Sequence, residues 1–106
     1  MYLQVDLRTQ PPVVSLEEPD DVARFQVNVV GGADWGLVFG ALVDAAAGRL
    51  EGDDAYVAVD AVRRLAAGRV GPGWDDAFAG MLDDARTKGW LDGPGNAIKA
   101  HVEWPG

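Results

Sequence analysis

The clearest pattern of apolar and polar positions lies in residues 74–88. Apolar residues recur there at the spacing of one helix face, namely Trp74, Phe78, Met81, Leu82 and Ala85. Aspartates open the segment and basic residues close it, which suits the helix dipole. Gly89 follows and can take the left-handed conformation in which many helices end. The pattern therefore predicts a helix over 74–88.

A strand is predicted after this helix, beyond a tight turn. Residues 92–96, Asp-Gly-Pro-Gly-Asn, are a dense turn signal. Apolar and polar residues then alternate over 97–104, as they do in a strand with one buried face. Trp90 and Leu91 are predicted to begin the strand that pairs with it, so that the segment closes as a hairpin.

Two more alternating segments occur near the start of the chain, at residues 1–8 and 22–30. They are predicted to be strands that pair with each other. The stretch between them, 9–21, has the prolines and acidic residues of a loop, because proline has no donor for a strand ladder.

The middle of the chain predicts two helices and a short strand. Asp34 is a good N-cap, and the helix after it is expected to bury Trp35, Val38, Phe39, Leu42 and Ala46. Its two glycines, Gly36 and Gly40, each weaken it by about 1 kcal/mol relative to Ala. Glycines four residues apart also allow another element to approach closely. Residues 56–59 indicate a strand, and Asp60 is predicted to cap a short helix that ends at Gly68.

These elements predict one α+β domain over 1–106, with N-terminal strands in 1–30 and a helix–strand–helix–helix–hairpin unit in 34–104. That order is typical of a winged helix, with helix 74–88 in the place of the recognition helix. The predicted fold is three helices with a small antiparallel sheet, winged-helix-like, with an extra N-terminal β-hairpin.

The last half of the chain also carries a resemblance. The run WDDAFAGMLDDARTKGWLDGPGNAIKAHVEW, with VDAVRRLAAG before it, resembles a group of small actinobacterial proteins of unknown function. Since no activity is known for that group, the resemblance implies no site residues.

Charge and composition narrow the function classes. The net charge is −8 and is spread along the chain, so the surface repels phosphate backbones and anionic lipid. The absence of cysteine removes disulfides and thiolate metal sites. No apolar run approaches the ~20 residues that span a bilayer, and no signal-peptide pattern opens the sequence. A cytoplasmic protein without a membrane segment is expected.

No set of residues suited to catalysis can be assembled from the sequence. The segment VVGGADWG lacks a phosphate-binding fingerprint, because Ala33 stands at the second glycine position and Leu37 where a P-loop needs lysine. His101, the only histidine, lies on the polar face of its predicted strand with no nucleophile in view. The acidic pairs lack the spacing of a calcium loop. We therefore expect no enzyme, no cofactor and no metal.

The leading hypothesis from the sequence is a non-enzymatic, acidic module that binds protein, either a different partner or a second copy of itself. Aromatic residues are enriched in interfaces, and the candidate contacts are Trp90, Trp104 and His101. The alternative is a winged-helix regulator that contacts a nucleic-acid backbone through Arg63, Arg64, Arg69, Lys88 and Lys99. The aspartates on the predicted recognition face oppose that alternative. A small-molecule site under the N-terminal hairpin is a third reading, based only on the number of aromatics.

Overall fold

The structure, a computed structural model, describes residues 1–105, which form three helices and one six-stranded sheet. In chain order the elements are β1 (Tyr2–Asp6), β2 (Val13–Glu17), β3 (Gln26–Val30), α1 (Trp35–Asp44), β4 (Gly48–Glu51), β5 (Asp54–Ala58), α2 (Val59–Ala66), α3 (Trp74–Thr87) and β6 (Ala97–Glu103).

The strand order across the sheet is β2-β1-β3-β6-β5-β4. β1 and β6 each run parallel to β3, and the remaining neighbours are antiparallel. The predicted α+β class is confirmed. The predicted small antiparallel sheet is wrong, because the N-terminal strands do not form a separate unit: β3 pairs with β6 and joins them to the C-terminal strands in one mixed sheet.

The N-terminal hairpin exists but has different strands from those predicted. β1 pairs antiparallel with β2, which lies inside the predicted loop 9–21. β3 is a neighbour of β1 but runs parallel to it. Pro11 and Pro12 precede Val13, the first residue of β2, so their missing backbone N–H groups cost that strand no hydrogen bond.

The core lies on one face of the sheet. Alternate residues of the strands are buried there, including Leu3, Val5, Leu16, Val27, Val29, Val57, Ala100 and Val102. α1 contacts β1, β2 and β4 on this side, and α2 contacts β2 and β5. The opposite residues of the strands are mostly polar and half-buried or exposed.

α3 and the turn after it agree with the sequence prediction. Trp74 and Phe78 are buried with their rings stacked 4.9 Å apart, and Trp74 Nε1 donates to the Pro19 carbonyl oxygen at 2.7 Å. Gly89 has a left-handed φ of 76°. Leu91 forms an isolated antiparallel bridge with Ile98, so the predicted pairing is present, but no strand begins at Trp90. None of the helices in 1–105 combines the length and the apolar character that crossing a bilayer requires.

Candidate functional site

α1 is the helix with the most unusual composition. It begins at Trp35 because the Asp34 carboxylate caps it, accepting a hydrogen bond from the Leu37 backbone N–H at 3.0 Å. The nine residues that follow, WGLVFGALV, contain no polar side chain. Only one side of the helix, with Val38, Ala41 and Leu42, is buried. A helix that is apolar all round is normally buried all round, so the other side of α1 needs an explanation.

That other side carries four large apolar side chains in water. The exposed fractions are 49% for Trp35, 46% for Leu37, 37% for Phe39 and 52% for Val43. Trp35, Phe39 and Val43 are successive i, i+4 neighbours on one stripe, and the rings of the first two stack 5.3 Å apart. We call these three residues the α1 ridge.

The prediction that Trp35, Phe39 and Ala46 face the core is therefore wrong. Trp35 and Phe39 stand on the surface, and Ala46 lies beyond the end of α1 and is exposed. The cause is the composition of the helix: when nearly every position is apolar, periodicity does not show which face is buried. Ala41, which the sequence reading left out, takes a core position.

Gly36 and Gly40 lie beside the α1 ridge and form what we call the glycine channel. At 3.6 residues per turn they fall between the ridge and Leu37, opposite the buried side. A Cβ at Gly40 would meet no atom within 4 Å, and one at Gly36 would meet only the Asp34 carboxylate at 3.4 Å. Contacts within the chain therefore require neither glycine, although each lowers helix stability.

Acidic residues stand at both ends of α1. Asp34 precedes its first turn and Asp44 is its last residue, and both are exposed. In the described part of the chain neither carboxylate forms an ion pair. Arg64 of α2 comes close to the C-terminal end, but its Nη2 donates to the Ala45 carbonyl oxygen at 2.8 Å. The outer side of α1 is thus an apolar surface with a carboxylate at each end.

The contact residues predicted from the sequence lie elsewhere, around β6. Trp90 is 46% exposed, with the Lys88 Nζ 4.7 Å from its ring centroid. His101 is exposed, and its Nε2 lies 3.4 Å from a carboxylate oxygen of Glu103. Trp104 is half-buried and packs against the core. Their role in contacts stays a prediction. The exposed Trp35 was not among the predicted contacts, because the apolar pattern assigned it to the core.

Trp90 and His101 line a common shallow groove at a change of partner along β6. Ile98 pairs with Leu91, whereas further along the same edge Val102 pairs with Val27 of β3. The groove lies beside the gap between these two pairings, and its other lining residues are Phe25, Asp54 and Lys99. A neighbouring cavity of about 330 Å³ shares Phe25, Trp90 and Lys99 and extends to Met81 and Asp84 of α3. Carboxylates and ammonium groups are mixed in both linings, so neither favours one charge of ligand.

The basic residues of the nucleic-acid alternative all contact their own chain. The Arg63 guanidinium lies over the ring of Phe78, 5.3 Å from its centroid. Arg64 and Arg69 each donate to a backbone carbonyl oxygen outside α2. Lys88 lies over Trp90, and the Lys99 Nζ is 3.6 Å from the Asp54 carboxylate. Only the two lysines share a cavity lining.

Residues 1–105 contain no group of three or more His, Asp or Glu side chains that could hold a metal ion. Hydrogen bonds from the side chain and backbone of Arg8 lower the pKa of Asp6, and the same contact raises the pKa of Arg8. Such an exposed ion pair at the end of a strand is a common surface feature.

Comparison of the chain with protein-family models, with curated proteins and with solved structures finds no match. The resemblance to small actinobacterial proteins therefore stays a prediction.

Proposed function

We propose that this protein is a non-enzymatic interaction module that binds another protein through the outer side of α1. The observation that carries the proposal is the α1 ridge. Three large apolar side chains on one stripe of α1 stay exposed, whereas the large apolar side chains of α2 and α3 are buried or half-buried. Contiguous exposed apolar surface of this kind marks interaction sites in proteins that otherwise cover such surface.

The size of the surface sets the expected strength of binding. The four exposed side chains of α1 present on the order of 300 Å² of apolar area, comparable to the largest patch of a typical monomer. At ~25 cal/mol per Å², burying that area would contribute roughly 7 kcal/mol. The loss of translational and rotational freedom costs a comparable amount, about 4–15 kcal/mol. We therefore expect a transient complex, unless the partner adds contacts beyond α1.

A photo-crosslinking experiment in the cells that produce the protein tests this proposal. A photoreactive phenylalanine analogue replaces Phe39 on the α1 ridge, and in a second chain it replaces Ala79, which is exposed on α3. We expect a discrete protein adduct from position 39 and none from position 79. Adding Gly40→Leu should abolish the adduct, because the new side chain fills the glycine channel.

Gly80→Leu is the matched control for the effect of Gly40→Leu on the adduct. Gly80 is an exposed glycine in the middle of α3, and a Cβ there would also meet no atom within 4 Å. The adduct from position 39 should survive Gly80→Leu. Equal adduct yields from positions 39 and 79, or no adduct from position 39, would contradict binding through α1.

A winged-helix-like regulator is the second candidate, and one observation favours it. β5 pairs antiparallel with β6, which in turn forms a bridge with Leu91, so the chain segments before and after α3 are neighbours in one sheet, as in the wing of such a domain. The exposed side of α3 opposes it, because Asp75, Asp76 and Asp83 would face the nucleic-acid backbone. Fluorescence anisotropy with a random-sequence duplex at low salt separates the two proposals. Binding that falls steeply with salt and weakens in an Arg63→Ala, Arg64→Ala variant would favour the regulator.

A further inference from the structure

We infer that the partner of α1 is a basic amphipathic helix of a different protein, and not a second copy of this chain. This inference rests on the proposed function and adds the shape and charge of what α1 binds. Two features support it: the shape of the surface on the outer side of α1, and the carboxylates at the two ends of this helix.

The shape of the outer side of α1 is complementary to a helix. The α1 ridge and Leu37 rise on either side of the glycine channel, so the centre of the surface is its lowest line. Helices pack by placing the side-chain ridge of one into the groove of the other, and rows of residues four apart form the commonest such grooves. With glycine at positions 36 and 40, an apolar ridge of a partner can approach the α1 backbone closely. Both glycines are unexplained by contacts within the chain, and this approach gives them a role.

The charges of α1 disfavour self-association. A pair of α1 helices related by a two-fold axis runs either antiparallel or parallel. In the first case Asp34 of one copy meets Asp44 of the other, and in the second each aspartate meets its own equivalent. Like charges are apposed in both, and each copy adds a net charge of −8. The helix itself supplies no basic residue to offset them.

The same charges favour a basic partner. Asp34 and Asp44 are ten residues apart, or roughly 15 Å along the helix axis. A helix lying in the glycine channel with lysine or arginine near both ends of its apolar stripe would place a cation beside each carboxylate. The helix dipole adds to this attraction at the C-terminal end, where Arg64 already donates to the Ala45 carbonyl oxygen, and opposes it at the N-terminal end. The negative net charge of the whole chain steers such a partner toward it.

Selection from a displayed peptide library tests the inference on the full-length chain. The peptides are helices of about 16 residues, long enough to cover α1, with a fixed leucine stripe. Their flanking positions are randomised among Lys, Glu and Gln. Three targets are compared: the unmodified chain, Gly40→Leu, and the double variant Asp34→Asn, Asp44→Asn. Asparagine at position 34 still caps the helix, so the double variant removes charge without removing the cap.

We expect peptides that bind the unmodified chain but not Gly40→Leu to carry Lys over Glu at the flanks by at least about fivefold. Exposed ion pairs contribute modestly, and two of them account for a preference of that order. The resynthesised peptides should bind the Asp34→Asn, Asp44→Asn variant about fivefold more weakly, and their affinity for the unmodified chain should fall as salt is raised.

Four results would overturn the inference. Selected peptides with flanks enriched in Glu, or without charge preference, would show that the partner is not basic, although α1 would still bind a helix. A dimer in sedimentation that Gly40→Leu dissociates would make a second copy the occupant. Binding to phosphatidylcholine vesicles that Phe39→Lys abolishes would make it a lipid surface. If no peptide distinguishes the unmodified chain from Gly40→Leu, α1 binds no helix, and the crosslinking result then decides whether the proposed function fails as well.

Discussion

α1 and α3 both contribute buried apolar side chains to one core, yet they show opposite surfaces to water. α3 buries Trp74 and Phe78 and exposes a row of aspartates. α1 buries Val38 and Leu42 and exposes the α1 ridge. The outer side of α3 is suited to solvent, because its carboxylates are well hydrated. The outer side of α1 contains nothing that water solvates well between its two terminal aspartates.

The difference shows where exposed apolar residues carry information. A single exposed side chain such as Val13 needs no explanation, since much of any protein surface is apolar. Three large side chains on one stripe beside two unexplained glycines form a surface whose members share a direction and a shape. The proposed partner helix would account for all of them together.

The largest expected difference between α3 and α1 is in the free energy of unfolding after the same substitution, phenylalanine to alanine, in each helix. Phe78→Ala removes a fully buried ring stacked on Trp74, and we expect it to lower the free energy of unfolding by about 3–5 kcal/mol. Phe39→Ala removes a ring that is 37% exposed and adds a better helix former, so its cost should be only about 1–2 kcal/mol. Urea denaturation measures both values. Similar losses would mean that Phe39 belongs to the core and that the α1 ridge is not free to bind.

The success of the sequence predictions follows the same contrast. The α3 prediction, 74–88 against the observed 74–87, was nearly correct because polar and apolar positions alternate at the helical period and the caps agree. The existence of α1 was also predicted, from Asp34 and the helical run, but its buried side was not. A helix with nine apolar residues in sequence gives no periodic signal to read.

The mixed sheet was beyond sequence reasoning for a different reason. Alternation identified β1, β3 and β6 as strands with one buried face, but alternation does not reveal which strands are neighbours or in which direction they run. β2 was missed because its Val13-Val14-Ser15-Leu16 segment is short and lies between prolines and acidic residues. The candidate site was missed with α1, since it consists of side chains that the sequence pattern assigned to the core.

Trp90→Ala tests the surface that the sequence favoured against the one that the structure favours. Trp90 is about half exposed under Lys88, and its backbone N–H donates to the Ala85 carbonyl oxygen, a bond that alanine keeps. We expect a loss of roughly 1–2 kcal/mol in the free energy of unfolding from the lost apolar contact. The crosslink from position 39 should be unchanged. If this variant remains folded but loses the crosslink, the interaction surface would be the groove beside β6 instead of α1.

Asp34 allows the cap of α1 to be separated from its charge. Asp34→Ala removes the acceptor for the Leu37 N–H and should lower the free energy of unfolding by about 1 kcal/mol. Asp34→Asn keeps an acceptor and should change it by only a few tenths of a kcal/mol. Thermal or urea unfolding of both variants gives the comparison. An equal loss in the two would mean that the negative charge at the start of α1 stabilises the helix, so that its role in binding could not be tested by Asp34→Asn alone.

The smallest expected effects are those of two helix glycines, Gly40 in α1 and Gly80 in α3, at each of which a Cβ would meet no other atom within 4 Å. Gly40→Ala and Gly80→Ala each place a methyl group in open space within a helix, so each should raise the free energy of unfolding by about 0.5–1 kcal/mol. Their effects on binding should differ, because only the first narrows the glycine channel. Gly40→Ala is expected to weaken a peptide that binds α1, while Gly80→Ala leaves its affinity unchanged. A stabilised Gly40→Ala chain that keeps full affinity would show that the partner contacts the α1 ridge without entering the channel.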